Sequence, residues 1–357
     1  MEIKLILESV IHPELKKNIV EAGILSKVEE TDQRIFVELM FKKSVDPFAN
    51  TVKRNVKEIL KKHFSSKEIV VENRFPEVKV NQYNPLQNVK NIVAVASGKG
   101  GVGKSTVTAN LTVALAMNGY KVGLLDGDVY GPSIPKMFGV ETEKPEVYLK
   151  DGKELIKPIE KYGVKLLSIG FFVDSSQALI WRGAMATNAL KQLIEQTEWG
   201  EIDVLFIDMP PGTGDIHLTL VQTVAVTGVI IVTTPQEVAL SDVVKGINMF
   251  RNQHINVPVL GIVENMSWFT PTELPQNKYY IFGKGGGEKM AKEFNVKLLG
   301  QIPLVQSICE SGDKGIPIVN ENSLESVAFQ QVANNFLESL NERNQKEPTK
   351  KVEIIHK

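Results

Sequence analysis

The run Gly98-Lys99-Gly100-Gly101-Val102-Gly103-Lys104-Ser105-Thr106 carries the clearest chemistry in this sequence. It satisfies the pattern G-x-x-x-x-G-K-[ST] and adds a further lysine, Lys99, at its second position. Glycines at these places let successive backbone N–H groups turn inward around an anion. A helix starting where the loop ends adds its positive terminus. The Lys104 ammonium then reaches β- and γ-phosphates, and the Ser105 hydroxyl holds Mg²⁺.

Carboxylates recur at matching places. Asp126-Gly127-Asp128 closes a short apolar run, and two carboxylates one residue apart beside a phosphate site can serve Mg²⁺ and the attacking water. The competing reading is an exposed acidic turn. Val204-Leu205-Phe206-Ile207 precedes Asp208, the form of a buried strand that delivers one carboxylate to a metal (Walker B). The glycines of Met209-Pro210-Pro211-Gly212-Thr213-Gly214-Asp215 permit a loop that senses the γ-phosphate. Asn265, in Glu264-Asn265-Met266, can offer a donor and an acceptor to an adenine edge, or be a plain turn residue. No Asn-Lys-x-Asp guanine-reading motif is present, so ATP is favoured over GTP.

Three isolated residues carry less. Arg182, in Trp181-Arg182-Gly183, can contact phosphate or a partner subunit, or be a solvated surface arginine. His217 has no second His or Cys at ligand spacing and reads as structural. Cys309 reads as a small buried hydrophobe.

These residues need elements to position them. Ile92–Ala96 leads into the phosphate loop as a strand, and Val107, Leu111, Ala114 and Leu115 give helical spacing after it. Further strands are expected at Val122–Leu125, Val204–Ile207, Val229–Thr233, Val259–Val263 and Lys297–Leu299, mostly separated by helix-like stretches. Short continuous apolar strands imply burial on both faces, hence a parallel sheet sandwiched by helices. Ligands of such sheets lie at the carboxyl ends of the strands, where the motifs fall.

The N-terminal residues 1–75 read as a small α+β unit. A helix is expected over Leu15–Ala22, a strand over Arg34–Phe41, a helix over Phe48–His63 and a strand over Glu68–Val71. Residues 76–90 have linker composition, residues 91–340 form the α/β domain, and the polar tail 341–357 is expected to fray.

Bulk composition excludes several classes. The 357 residues allow about two domains. A net charge of −1 provides no global basic field for nucleic acid or anionic membrane. The N-terminus does not read as a signal peptide, and no stretch of about 18 uncharged apolar residues occurs. With Cys309 as the one cysteine, no intrachain disulfide can form, which fits a reducing, cytoplasmic compartment.

Taken together, the loop Gly98–Thr106 with Lys99, the run Asp126-Gly127-Asp128-Val129-Tyr130-Gly131-Pro132-Ser133, and the segment Asp208–Asp215 resemble the Mrp (ApbC-type) ATPases. Those are iron–sulfur cluster carriers of the deviant-Walker-A group. The match spans roughly residues 90–340, and the N-terminal segment is similar to a small iron–sulfur cluster assembly domain. The resemblance implies a parallel-sheet deviant-Walker-A P-loop NTPase domain preceded by a small α+β domain. It implies an ATP- and Mg²⁺-dependent homodimer serving iron–sulfur scaffolds or client apoproteins, with no nucleic acid or membrane partner. Lys99 would reach the partner's nucleotide, and Lys104 with Gly98, Gly100, Gly101, Val102, Gly103, Ser105 and Thr106 would hold phosphates. Ser105, Asp126 and Asp208 would serve Mg²⁺. Asp128 would orient the hydrolytic water, Asp208 to Asp215 would form switch II, and Asn265 would contact adenine. A MinD- or ParA-like spatial switch without a cluster is the alternative within the same group.

One departure stands out. The resemblance implies a Cys-x-x-Cys pair after Glu-Asn-Met, yet Ser267–Tyr280 contains no cysteine, and neither does the N-terminal segment. Two copies of Cys309 supply two thiolates, so a homodimer of this chain cannot offer four to a bridged cluster.

Overall fold

The computed structural model describes residues 3–41, 46, 48–75, 84–150, 152–172, 183–271, 273–274, 276–321 and 323–352. The chain divides into two units, Met1–Tyr83 and Asn84–Lys357.

In the first unit, helix α1 (Ile3–Leu7) is followed by strands β1 (Leu25–Glu30) and β2 (Arg34–Met40), helix α2 (Ala49–His63) and strand β3 (Glu68–Arg74). The sheet order is β1-β2-β3, with β1 antiparallel and β3 parallel to β2. Helix α2 makes the crossover that a parallel pair requires. Val52, Val56 and Leu60, four residues apart, form its buried face, and they share a core with Ile35, Val37, Leu39, Ile69 and Val71. The helix expected over Leu15–Ala22 does not form. The Asn18 side-chain oxygen accepts from the N–H groups of Val20 and Glu21 at 3.1 and 2.8 Å, offering the backbone a turn instead. Lys16 also takes a φ of 49°.

The second unit opens with β4 (Val89–Ala96), α3 (Lys104–Met117), β5 (Val122–Asp126) and the short α4 (Ile134–Met137). Strands β6 (Glu146–Lys150), β7 (Lys153–Lys157), β8 (Ile159–Lys161) and β9 (Val164–Ser168) follow, then α5 (Gly183–Gln196) and β10 (Ile202–Asp208). Next come α6 (Asp215–Thr223), β11 (Gly228–Thr233), α7 (Glu237–Arg251), β12 (Val259–Glu264) and α8 (Gly286–Glu293). Strand β13 (Leu298–Gln301), α9 (Gln306–Asp313) and α10 (Leu324–Asn344) complete it.

Eight strands form one sheet in the order β13-β12-β11-β4-β10-β5-β9-β8. All neighbours are parallel except β8, an antiparallel edge strand. Val93–Ala96, Leu124, Leu125 and Val204–Ile207 are no more than 2 % exposed, as strands covered on both faces must be. Helix α3 packs on α10, α5 on α6, and α7 on α8. Each strand expected from Ile92 onward is present. The β6–β7 hairpin carries no such signature because most of its residues face solvent.

The tail expected to fray is held through Val352. Arg343 Nε donates to the Thr227 carbonyl at 3.2 Å, Thr349 Oγ1 to the Val226 carbonyl at 2.7 Å, and the Val352 N–H to the Val221 carbonyl at 3.0 Å. Polar side chains reaching backbone acceptors hold it, a force that composition does not register. Among the described residues no helix is long and apolar enough to cross a membrane.

Candidate functional site

Strand register brings the motifs to one edge of the sheet. Asp208 pairs with Val95 of β4 and with Asp126 of β5, while Thr233 of β11 pairs with Glu264 of β12. The phosphate-loop sequence follows β4, Asp126–Asp128 ends β5, Asp208 ends β10 and Asn265 follows β12. Strand β4 lies between β10 and β11, so its end is the point where successive connections leave in opposite directions.

Residues 97–103 bridge β4 and α3, and Gly103 (φ 79°) caps the helix in the left-handed region. A Cβ at Gly103 would stand 2.2 Å from Asn265 Nδ2, and one at Gly98 would stand 2.5 Å from the Asp242 carbonyl carbon. Only glycine fits at both places, and the loop is clamped between α7 and the end of β12. Asn265 adds to the clamp by donating to the Val102 carbonyl at 2.9 Å. The Gly212 N–H donates to the Ser97 carbonyl at 2.9 Å, joining the loop after β10 to the start of the phosphate loop. A Cβ on Gly100 would lie 3.9 Å from Pro211 of that same segment.

Asp208 is the focus of the charged groups. Its Oδ2 accepts from Lys104 Nζ at 2.7 Å and Ser105 Oγ at 2.5 Å, and its Oδ1 accepts from Thr108 Oγ1 at 2.7 Å. Asp208 is fully buried and Lys104 is 6 % exposed. A charge pair this deep is tenable because three donors, one of them the opposite charge, meet the carboxylate. Asp128 Oδ2 lies 3.9 Å from Lys104 Nζ. Burial raises the Asp128 carboxyl above the usual range, against the opposing Lys104 charge and with a further push from Asp208. A more basic carboxylate is a better acceptor for a water proton.

Asp126 stands apart from the Lys104–Ser105–Asp208 cluster. It is fully buried, its Oδ1 accepts from the Asp128 N–H at 3.2 Å, and its Oδ2 accepts from Ser168 Oγ at 2.9 Å and the Ile134 N–H at 3.4 Å. Burial and then the Asp208 charge push it up to about 7. Asp126 therefore shapes the β5–α4 loop that presents Asp128.

Lys99 Nζ donates to Gln236 Oε1 at 3.1 Å, on the segment between β11 and α7. A cavity of about 400 Å³ opens beside the loop, lined by Gly103, Thr106, Asn265, Pro303, Ile308 and Cys309, among others. With its amide nitrogen committed to Val102, Asn265 has its carbonyl oxygen left to offer there. Cys309 is exposed rather than buried, because it lies on the solvent side of α9. His217 is 2 % exposed, sits edge-on to Phe250, and has no hydrogen-bond partner at either ring nitrogen. Burial lowers its pKa to about 4. Arg182 falls outside the described residues.

Sequence reasoning missed Thr108, Gln236 and Glu264. Thr108 was within reach, since four residues separate it from Lys104 on one helix face. Gln236 and Glu264 carry no local signal. Glu264, fully buried, accepts from the Gly287 N–H at 2.5 Å and Gln301 Nε2 at 2.7 Å, and so fixes α8 to the end of β12. Among the described residues no group of three or more His, Cys, Asp or Glu is arranged to hold a metal ion by itself. A Mg²⁺ site of one hydroxyl, one carboxylate and substrate phosphates needs none.

A glycine loop between a central parallel strand and a helix, with lysine, hydroxyl and carboxylate converging at its end, defines a P-loop nucleoside-triphosphate-binding protein. The chain belongs to the family described as ParA: NUBPL iron-transfer P-loop NTPase, whose model matches residues 88–337. An iron-sulfur cluster carrier protein of Synechocystis is 43 % identical over 324 residues, covering 88 % of this chain and 89 % of the relative. A nucleotide-binding protein of Archaeoglobus fulgidus, solved with ADP, is 36 % identical with a TM-score of 0.59, covering 70 % of this chain and 97 % of that one. The cell-division ATPase MinD of Pyrococcus furiosus has a TM-score of 0.50 at 24 % identity, covering 70 % of this chain and 98 % of that one, and shares the fold alone.

Proposed function

We propose that this chain is a Mg²⁺-dependent ATPase that works as a homodimer in iron–sulfur cluster delivery. The observation that carries the reading is the convergence of Lys104, Ser105 and Asp208 beneath a loop that admits only glycine at Gly98 and Gly103. The carrier named among its relatives supports the cargo.

ATP would supply the phosphoanhydride bond and Mg²⁺ the neutralising charge. Lys104 and the loop N–H groups would bind phosphates, while Ser105 and Asp208 would hold the metal. Asp128, held near Lys104 and made more basic by burial, would orient water. The Asn265 oxygen would accept from an adenine amino group. Lys99 would leave Gln236 to reach the partner's nucleotide. The Gly212 link to Ser97 would let the loop after Asp208 respond to what the phosphate loop holds.

The cluster is cargo here. One cysteine per chain means that a dimer offers two thiolates, and the remaining ligands would be exogenous thiols, oxygen or nitrogen donors, or groups of a partner protein. The test is iron and sulfide per chain after anaerobic reconstitution with ATP and Mg²⁺, in wild type and Cys309→Ser. Bound iron that is lost in Cys309→Ser is the expected result. No iron on either protein would leave an ATP-timed scaffold without direct carriage.

A further inference from the structure

At the opposite edge of the sheet from the phosphate loop, two adjoining cavities of about 380 and 550 Å³ lie beside the start of β4 and the end of α10. Arg343 lines both. It is 8 % exposed, yet no acidic side chain pairs with it among the described residues. Its one hydrogen bond is from Nε to the Thr227 carbonyl. Its Nη groups make no hydrogen bond among the described residues and keep some access to solvent, in a residue that borders both cavities. A guanidinium that is largely buried and has no carboxylate partner gains from an anion that meets its accessible nitrogens.

The surroundings add positive charge. Lys346 and Lys351 line both cavities and Lys350 lines the larger, and none has an ion-pair partner among the described residues. Glu347 is the acidic residue on the lining, while Lys90 is already paired with Asp203 at 2.7 Å. The wall carrying these lysines is the tail strap, pinned by Thr349 to Val226 and by Val352 to Val221. A guanidinium fork suits carboxylate and phosphate alike, and the added positive charge of the lysines on the same lining favours the more highly charged phosphate.

We propose that this is a second anion site, separate from the phosphate loop, that takes a phosphate or diphosphate group. That group reaches it either on a soluble small molecule or on a lipid headgroup. Binding supplies the counter-charge that Arg343 lacks and fastens the strap.

The test uses the full chain saturated with ADP and Mg²⁺, so that the phosphate loop is filled. Pyrophosphate is titrated by calorimetry, and amide exchange is followed at Thr349–Val352. Sedimentation with phosphatidic acid vesicles is the second arm. The variants are Arg343→Gln and the exposed pair Lys350→Glu with Lys351→Glu, the latter keeping the fold testable if the buried change unfolds the chain. Saturable pyrophosphate binding that slows exchange in the strap, and weakens at least tenfold in the folded variants, supports a soluble ligand. Vesicle binding lost in the same variants, with no response to pyrophosphate, supports the headgroup. Absence of both, or binding equal in wild type and variants, overturns the site.

Discussion

Asp208 meets three donors from a single turn of α3, and the removal of any one member exposes what the others were doing. Lys104→Ala deletes the ammonium and leaves the Asp208 charge buried. ATP affinity should fall about 30- to 100-fold, the worth of a charge-assisted hydrogen bond, as read by calorimetry. Asp128→Ala should keep ATP binding and lose about 100-fold in turnover, because Lys104 retains its closer partner Asp208 while the water loses its acceptor. Retained turnover there removes the water-orienting assignment. His217 titrates in a way its neighbours do not. Its folded pKa of about 4 lies below the ordinary 6.5, so the unfolded chain binds the extra proton first. The stability it allows is present above pH 6.5 and is lost as pH falls towards 4, by at most about 3 kcal/mol. Asp126, raised to about 7, acts in the opposite sense across the same range, losing stability as pH rises. The measurement is therefore the urea-unfolding free energy of His217→Leu minus that of wild type, which should rise as pH falls from 6.5 towards 4 if burial sets the shift. At this scale the motif spacing singled out Lys104, Ser105 and Asp208, which the structure brings into hydrogen-bond contact. It did not reveal that Asp126 is spent on Ser168, because that partner lies on a strand outside the motif.

The elements were legible where burial is two-sided. Strands β4, β5, β10, β11 and β12 read directly from their apolar runs, since both faces meet the core. Elements that rely on side-chain-to-backbone bonds were not legible. Asn18 turned an apparent helix into a loop, and Thr349 made a polar tail into part of the fold. The phosphate loop shows how elements constrain a motif. Gly98 is needed because α7 comes within van der Waals contact at Asp242, not because its own backbone is unusual. Gly98→Ala should therefore cost about 1–3 kcal/mol in urea unfolding and weaken nucleotide binding as the loop withdraws from α7. An unchanged protein would mean that α7 yields.

The described residues carry two separate hydrophobic cores, one centred on Val37 and Val56 and the other on Val93 and Phe206. Neither core shares a residue with the other, so residues 84–357 alone should fold and bind nucleotide within about twofold of the full chain, and the intact protein should melt in more than one step. A fragment that cannot bind nucleotide would mean the first unit is needed for the site. The α+β character of that first unit was legible from its alternating apolar pattern, while its turn-built entry was not.

Cys309 has one more consequence. It is exposed, it borders the cavity next to Asn265, and it is the one thiol in the sequence. A maleimide dye would attach at a single address per chain without any engineering. Its emission would then report, in real time, the arrival and departure of whatever enters that cavity.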